Sequence, residues 1–103
     1  MRRGEVHWYK FQTPDKKRPV VILTRHSALD YLTDVTVAPI TSTIRDIPSQ
    51  VILTTEDGFN RDCAVSCDNI QTVSKSKIGS LIVVLSSEKL TQISKALSFA
   101  LDL

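Results

Sequence analysis

Arg18-Pro19-Val20-Val21-Ile22-Leu23-Thr24 and, further along, Ala38-Pro39-Ile40-Thr41-Ser42 are the two stretches that decide the fold of this chain. Each is a short apolar run of the kind that forms a buried strand, and each carries a polar residue at its mouth. Arg18 stands at the start of the first and Thr41 at the end of the second. An arginine and a hydroxyl brought together at strand ends are suited to gripping a phosphate. The backbone of a nucleic acid is therefore the first ligand to consider.

Working outward, the chain has 103 residues, 42% of them hydrophobic and 23% charged. That is the size and composition of one globular domain covering 1–103. The longest apolar runs, Val20 to Leu23 and Leu81 to Leu85, fall far short of the roughly 18 residues needed to span a bilayer. The opening Met1-Arg2-Arg3-Gly4-Glu5 lacks the apolar segment of a secretory signal. The expectation is a cytoplasmic protein with no membrane contact.

The net charge of +2 is unevenly placed. Arg2, Arg3, Lys10, Lys16, Lys17, Arg18 and Arg25 face only Glu5 and Asp15 within the first 25 residues. Such a basic hairpin reads either as solvated surface or as a patch that steers a polyanion. The two cysteines, Cys63 and Cys67, have no second pair, and His7 and His26 are remote in sequence. No metal site is expected from them, and they read as small hydrophobes in a reducing compartment.

Along the chain, Arg3 to Phe11 alternates as a strand, residues 12–17 form a polar turn, and Pro19 to Thr24 returns as the second strand of a hairpin. Arg25 to Tyr31 holds at most one helical turn. Thr33 to Ile40 is the next strand, with Pro39 marking its end or an unpaired position. Further strands are expected at Gln50 to Thr54, Asp62 to Ser66, Ile70 to Val73 and Ser80 to Leu85. Asp57-Gly58 carries a hairpin signal, and Cys67-Asp68-Asn69 a tight turn. From Ser87 the spacing of Leu90, Ile93, Ala96, Leu97, Ala100 and Leu101 predicts an amphipathic helix. Short hairpin-linked strands with a terminal helix imply a mainly β (α+β), strongly curved antiparallel barrel.

Four stretches in order carry a family resemblance: Arg2-Arg3-Gly4-Glu5-Val6 with an aromatic soon after, Arg18 to Thr24, Val37-Ala38-Pro39-Ile40-Thr41-Ser42, and Asp62 to Val73. Together they resemble the MazF/PemK toxins. The resemblance implies an SH3-like barrel of the PemK/CcdB plasmid-maintenance toxin type with a C-terminal amphipathic helix. It also implies a homodimer that cleaves single-stranded mRNA sequence-specifically, with no cofactor or metal, as the toxin of a type II pair neutralised by a cognate antitoxin.

The resemblance makes Arg18, Thr41 and Asp68 the catalytic candidates. Metal-free RNA cleavage requires the 2′-hydroxyl to lose a proton and attack the adjacent phosphate, so negative charge builds on phosphoryl oxygens. A planar guanidinium at Arg18 can bond two of them at once. The Thr41 hydroxyl can hold the phosphate in line, although a threonine after a strand is otherwise a turn former. Asp68 reads equally as a general base or as the acceptor of an Asx turn. Ser66 stands where some relatives have an arginine, which leaves Arg18 as a second candidate proton donor.

RNA-binding candidates are Lys16, Lys17, Ser42 and Arg3, the lysines reading equally as a solvated loop. His7 is either an acid-base group or a packed strand histidine. Among six aromatic residues, Trp8, Tyr9, Phe11 and Phe59 are divided between base stacking and core packing. Two other readings keep the same fold. One is a CcdB-like gyrase poison, against which the ending Phe99-Ala100-Leu101-Asp102-Leu103 speaks because it lacks the Trp-Gly-Ile of those proteins. The other is a non-catalytic RNA-binding barrel.

Overall fold

The computed structural model describes residues 1–11 and 17–103. Seven strands and two helices follow in chain order: β1 Glu5–Lys10, β2 Lys17–Ile22, α1 His26–Leu29, β3 Asp34–Thr41, β4 Gln50–Leu53, β5 Cys63–Ser66, β6 Gln71–Ser74, β7 Ile78–Val84 and α2 Ser87–Leu101. The strands form one antiparallel sheet in the order β4-β5-β3-β2-β1-β7, with β6 also paired to β3. The mainly β architecture with a C-terminal helix is the one expected.

Strand β3 organises the sheet. Its residues Val37 to Pro39 pair with β2 on one edge, through Val20–Pro39, Val21–Ala38 and Ile22–Val37, and its first half, Asp34 to Val37, pairs with β6 on the other. Its last two residues pair instead with β5, through Ile40–Val65 and Thr41–Ala64. Pro39, which has no N–H to donate, is the last β3 residue paired with β2, and Pro19 lies next to its partner Val20. Pro39 therefore does not end the strand, as one reading of the sequence had it. It marks where β2 and β3 part.

Alternation along β2 and β3 sends side chains to two cores. Val21, Ala38 and Ile40 join Val6, Leu53, Val65, Leu85 and Ile93 in the larger core, while Val20, Ile22, Val35 and Val37 join Leu29 and Val73 in the smaller one. This is the period-two pattern of a sheet buried on both faces.

Helix α2 begins where the sequence placed it. The Ser86 hydroxyl accepts from the Lys89 N–H at 3.2 Å, and Glu88 lies in the first turn, near the positive end of the helix dipole. Of its expected apolar stripe, Ile93 and Ala96 are buried and Leu90, Leu97 and Ala100 pack on the core partly covered, while Leu101 is half exposed.

The Asp57-Gly58 signal is met by a hairpin: β4 and β5 pair antiparallel and are joined through a 3₁₀ turn, Thr55–Asp57, whose Asp57 carboxylate accepts from the Thr54 N–H at 2.9 Å. Gly58 leaves this turn at φ 97°, a left-handed conformation that favours glycine. The last strand starts earlier than Ser80 because Gly79 fits tightly over β1. A Cβ there would stand 2.9 Å from the Trp8 carbonyl oxygen.

Candidate active site

Where β2 and β3 part, a cleft of about 360 Å³ opens, lined by Trp8, Pro19, Ile40, Thr41, Ser42, Phe59, Arg61 and Cys63 among others. Arg18 and Thr41 each lie two residues beyond the last β2–β3 pair, Val20–Pro39. The structure thus brings the sequence's first two candidates to the same open end of neighbouring strands. Arg18 lies beside the cleft, opposite Tyr9 on β1, exposed and without a hydrogen-bond or ion-pair partner among the described residues. An unpaired guanidinium of this kind is available to an anion. The Thr41 oxygen accepts from the Thr43 N–H at 3.1 Å, which orients the hydroxyl and leaves its own hydrogen to donate elsewhere.

Asp68 lies in the 3₁₀ turn Cys67–Asn69 that follows β5, the strand whose Ala64 pairs with Thr41. Its carboxylate accepts from the buried Ser49 hydroxyl at 2.5 Å, and the Cys67 N–H donates to the Ser49 carbonyl at 3.0 Å. Those two bonds fasten the loop before β4 to the turn after β5. Among the described residues no hydrogen bond or ion pair joins Asp68 to Arg18 or Thr41.

The RNA-binding candidates also separate. Ser42 is exposed and lines the cleft, and Lys17 opens β2 opposite Lys10, on the exposed rim. Lys16 lies outside the described residues, as does Asp15. Arg3 turns away instead: its guanidinium reaches Ser94 on α2 at 3.3 Å, and its backbone N–H donates to His26 Nδ1. It ties the N-terminus to the two helices rather than joining the cleft.

Phe59 both lines the cleft and packs against the larger core. Tyr9 and Phe11 meet edge to face at 4.9 Å and pack on the smaller core, while Trp8, 38% exposed, and Phe59 line the cleft. Arg61, also without a hydrogen-bond or ion-pair partner among the described residues, and Asn60 join them there. Nothing singled these two out in the sequence, because they sit in a loop that only the Gly58 turn carries back over β3. The run Gly58-Phe59-Asn60-Arg61, a turn followed by an aromatic and two planar polar groups, was the available signal.

His7 supports the cleft from behind Trp8. It is buried, with Nδ1 donating to the Gly79 carbonyl at 2.9 Å and Nε2 2.7 Å from Glu5 Oε1. It is therefore the packed strand histidine of the two readings, holding β7 to β1 where their ladder is irregular. Burial raises the Glu5 pKa, but the hydrogen bond from His7, the Arg2 backbone and the N-terminal charge outweigh it, and the carboxyl lies below its usual 4.5. The unfolded chain then binds the proton first as pH falls, so this stabilisation is complete above about pH 4.5 and is lost as pH drops through the lower folded value. Urea unfolding across this range should show a step in wild-type stability that Glu5→Gln lacks; equal slopes for both proteins would remove the linkage.

Both cysteines are free and buried. Burial pushes the Cys63 thiol up, and burial together with Asp68 pushes Cys67 up to about 11, so neither is primed as a thiolate nucleophile. Among the described residues no three His, Cys, Asp or Glu side chains gather as a metal-binding group, and no helix is long and apolar enough to cross a membrane.

An antiparallel sheet with a C-terminal helix, two of its strands parting beside an unpaired arginine and an oriented hydroxyl, is the frame of a small barrel toxin. The chain belongs to the PemK-like, MazF-like toxins of type II toxin-antitoxin systems, whose family model matches residues 2–101. It is 42% identical over 89 residues to endoribonuclease MazF3 of Mycobacterium tuberculosis, covering 86% of each chain. Among solved structures it is similar to the M. tuberculosis toxin MazF-mt6, with TM-score 0.87 and 38% identity over 96% of this chain and 97% of that one. A mycobacterial endoribonuclease solved with its cognate antitoxin matches at TM-score 0.88 and 26% identity, over 100% of this chain and 96% of that one.

Proposed function

We propose that the chain is an endoribonuclease, the toxin of a type II pair, and that it cuts single-stranded mRNA at particular sequences without a metal, acting as a cytoplasmic homodimer. The observation that carries this reading is the convergence of Arg18 and Thr41 on the open end of β2 and β3, beside a cleft walled by Trp8 and Phe59. In the reaction the ribose 2′-hydroxyl loses its proton as its oxygen bonds to the adjacent phosphorus. The bond from phosphorus to the 5′-oxygen breaks, and that oxygen takes up a proton. A 2′,3′-cyclic phosphate and a 5′-hydroxyl result.

The protein's contribution is electrostatic. Arg18 neutralises the phosphoryl oxygens as charge grows on them, and the Thr41 hydroxyl donates to the same group and holds it in line. Ser42 and Lys17 extend the grip to the neighbouring backbone. Asp68 acts by fixing the Ser49 loop.

Antitoxin binding is supported by the mycobacterial relative solved with its own antitoxin. Self-association is supported by apolar side chains left exposed on edge strand β7, Leu81 and Val84, and on α2, Phe99 and Leu101. A gyrase-directed activity has no comparable support. The test is to give the purified chain one RNA both as a single strand and annealed to its complement. Cleavage of the single strand alone is expected, because an unstacked strand can splay its bases into the cleft. An intact single strand at enzyme excess would sink the reading.

A further inference from the structure

The cleft holds more than the phosphate grip requires. Besides Thr41 it is lined by Trp8, 38% exposed, and Phe59, and by Asn60 and Arg61. Its volume of about 360 Å³ lies at the low end of the range for small-ligand sites, roughly 300–1,000 Å³, which is room for one planar ring system. The loop presenting these groups is held in place. Thr54 and Asp57 cap its 3₁₀ turn reciprocally, the Lys89 ammonium on α2 donates to the Ile52 carbonyl at 2.8 Å and stands 3.8 Å from Asp57, and a Cβ on Gly58 would meet Val83 at 2.8 Å.

Resting on the endoribonuclease reading above, we infer that this cleft seats one unstacked RNA base beside the cut phosphate and that Arg61 reads it. The ring stacks on Trp8 and Phe59, where any base would do. Discrimination falls to the polar groups of Asn60 and Arg61. A guanidinium only donates, and in a fixed fork, so it rewards an edge with two neighbouring acceptors. Guanine offers O6 and N7, and cytosine offers O2 and N3. Adenine and uracil interleave donors with their acceptors on the corresponding edges. Asn60, which both donates and accepts, meets the remaining polar group of either favoured base. Arg61 is thus a specificity-determining residue, distinct from Arg18, which meets phosphate whatever the base.

The experiment is cleavage of a randomised single-stranded RNA pool by wild type and by Arg61→Gln, with the new ends sequenced. Wild-type ends should hold guanine or cytosine at one position flanking the cut, and Arg61→Gln should flatten that position alone, by about tenfold or more. Unchanged preferences in the variant, or adenine or uracil at the position that responds, would overturn the inference. A second measurement separates it from the nuclease reading. Trp8 is the one tryptophan in the chain, and its fluorescence reports the cleft when 2′-O-methyl RNAs, which cannot be cut by 2′-hydroxyl attack, are titrated. Quenching that favours guanine or cytosine keeps the base pocket even if wild type cuts nothing. Quenching indifferent to the base, or none, removes it even if cleavage proceeds.

Discussion

Arg18→Ala is expected to slow RNA cleavage by about 10²–10³-fold or more, the loss found when a preorganised donor to developing negative charge is removed. Arg18, like Thr41, lies two residues beyond the last β2–β3 pair, at the parting of the strands. Arg18→Lys should recover little, because an ammonium cannot bond two phosphoryl oxygens in one plane. Thr41→Ala removes a single hydroxyl donor to a charged group and should cost about 10–10²-fold. Both positions lie outside the buried cores, so unfolding curves of the variants should match wild type. Asp68→Asn, in the turn after β5 and bonded to Ser49, should leave cleavage within a few-fold. Single-turnover rates on one defined RNA check all four. Near-normal cleavage by Arg18→Ala would remove that residue from the site, and a collapse with Asp68→Asn would restore the carboxylate to it.

The second large effect is on stability. Ile93 is fully buried and joins α2 to Val6, Val21, Val65 and Leu85 of the larger core. Ile93→Ala should cost about 2–5 kcal/mol, the transfer free energy of the lost atoms plus the cavity they leave. Against a typical total of roughly 5–15 kcal/mol that is a large share. Urea unfolding should show a lower midpoint with an unchanged slope, while Ser98→Ala, exposed on the same helix, should stay within about 0.5 kcal/mol of wild type. A cost for Ile93→Ala below about 1 kcal/mol would mean that the helix is not docked as described.

How far the sequence could be read depended on how local each determinant was. The helix was legible to its first residue because Ser86, Glu88 and the apolar spacing from Leu90 are local signals. Strands β2 and β3 were legible because their apolar runs alternate between two cores. The role of Pro39 was not, since a missing N–H says that pairing changes there but not which strand takes over. At the site, Arg18 and Thr41 followed from short motifs at strand ends. Asp68 had a motif too, but the motif does not show the Ser49 hydroxyl that bonds its carboxylate. Arg3 was read from charge alone, and charge does not reveal that Ser94 lies within its reach. Arg61 was invisible for the opposite reason: its meaning depends on a glycine turn and a helix lysine that bring its loop over the cleft.

The central claim is that this chain cuts RNA with its own arginine and hydroxyl, by 2′-hydroxyl attack and without a metal. The most direct measurement is cleavage of single-stranded RNA in excess chelator, followed by analysis of the ends. The claim predicts undiminished cleavage that yields 2′,3′-cyclic phosphate and 5′-hydroxyl ends. Cleavage abolished by the chelator and restored by a divalent ion, or products bearing 3′-hydroxyl and 5′-phosphate ends, would contradict it.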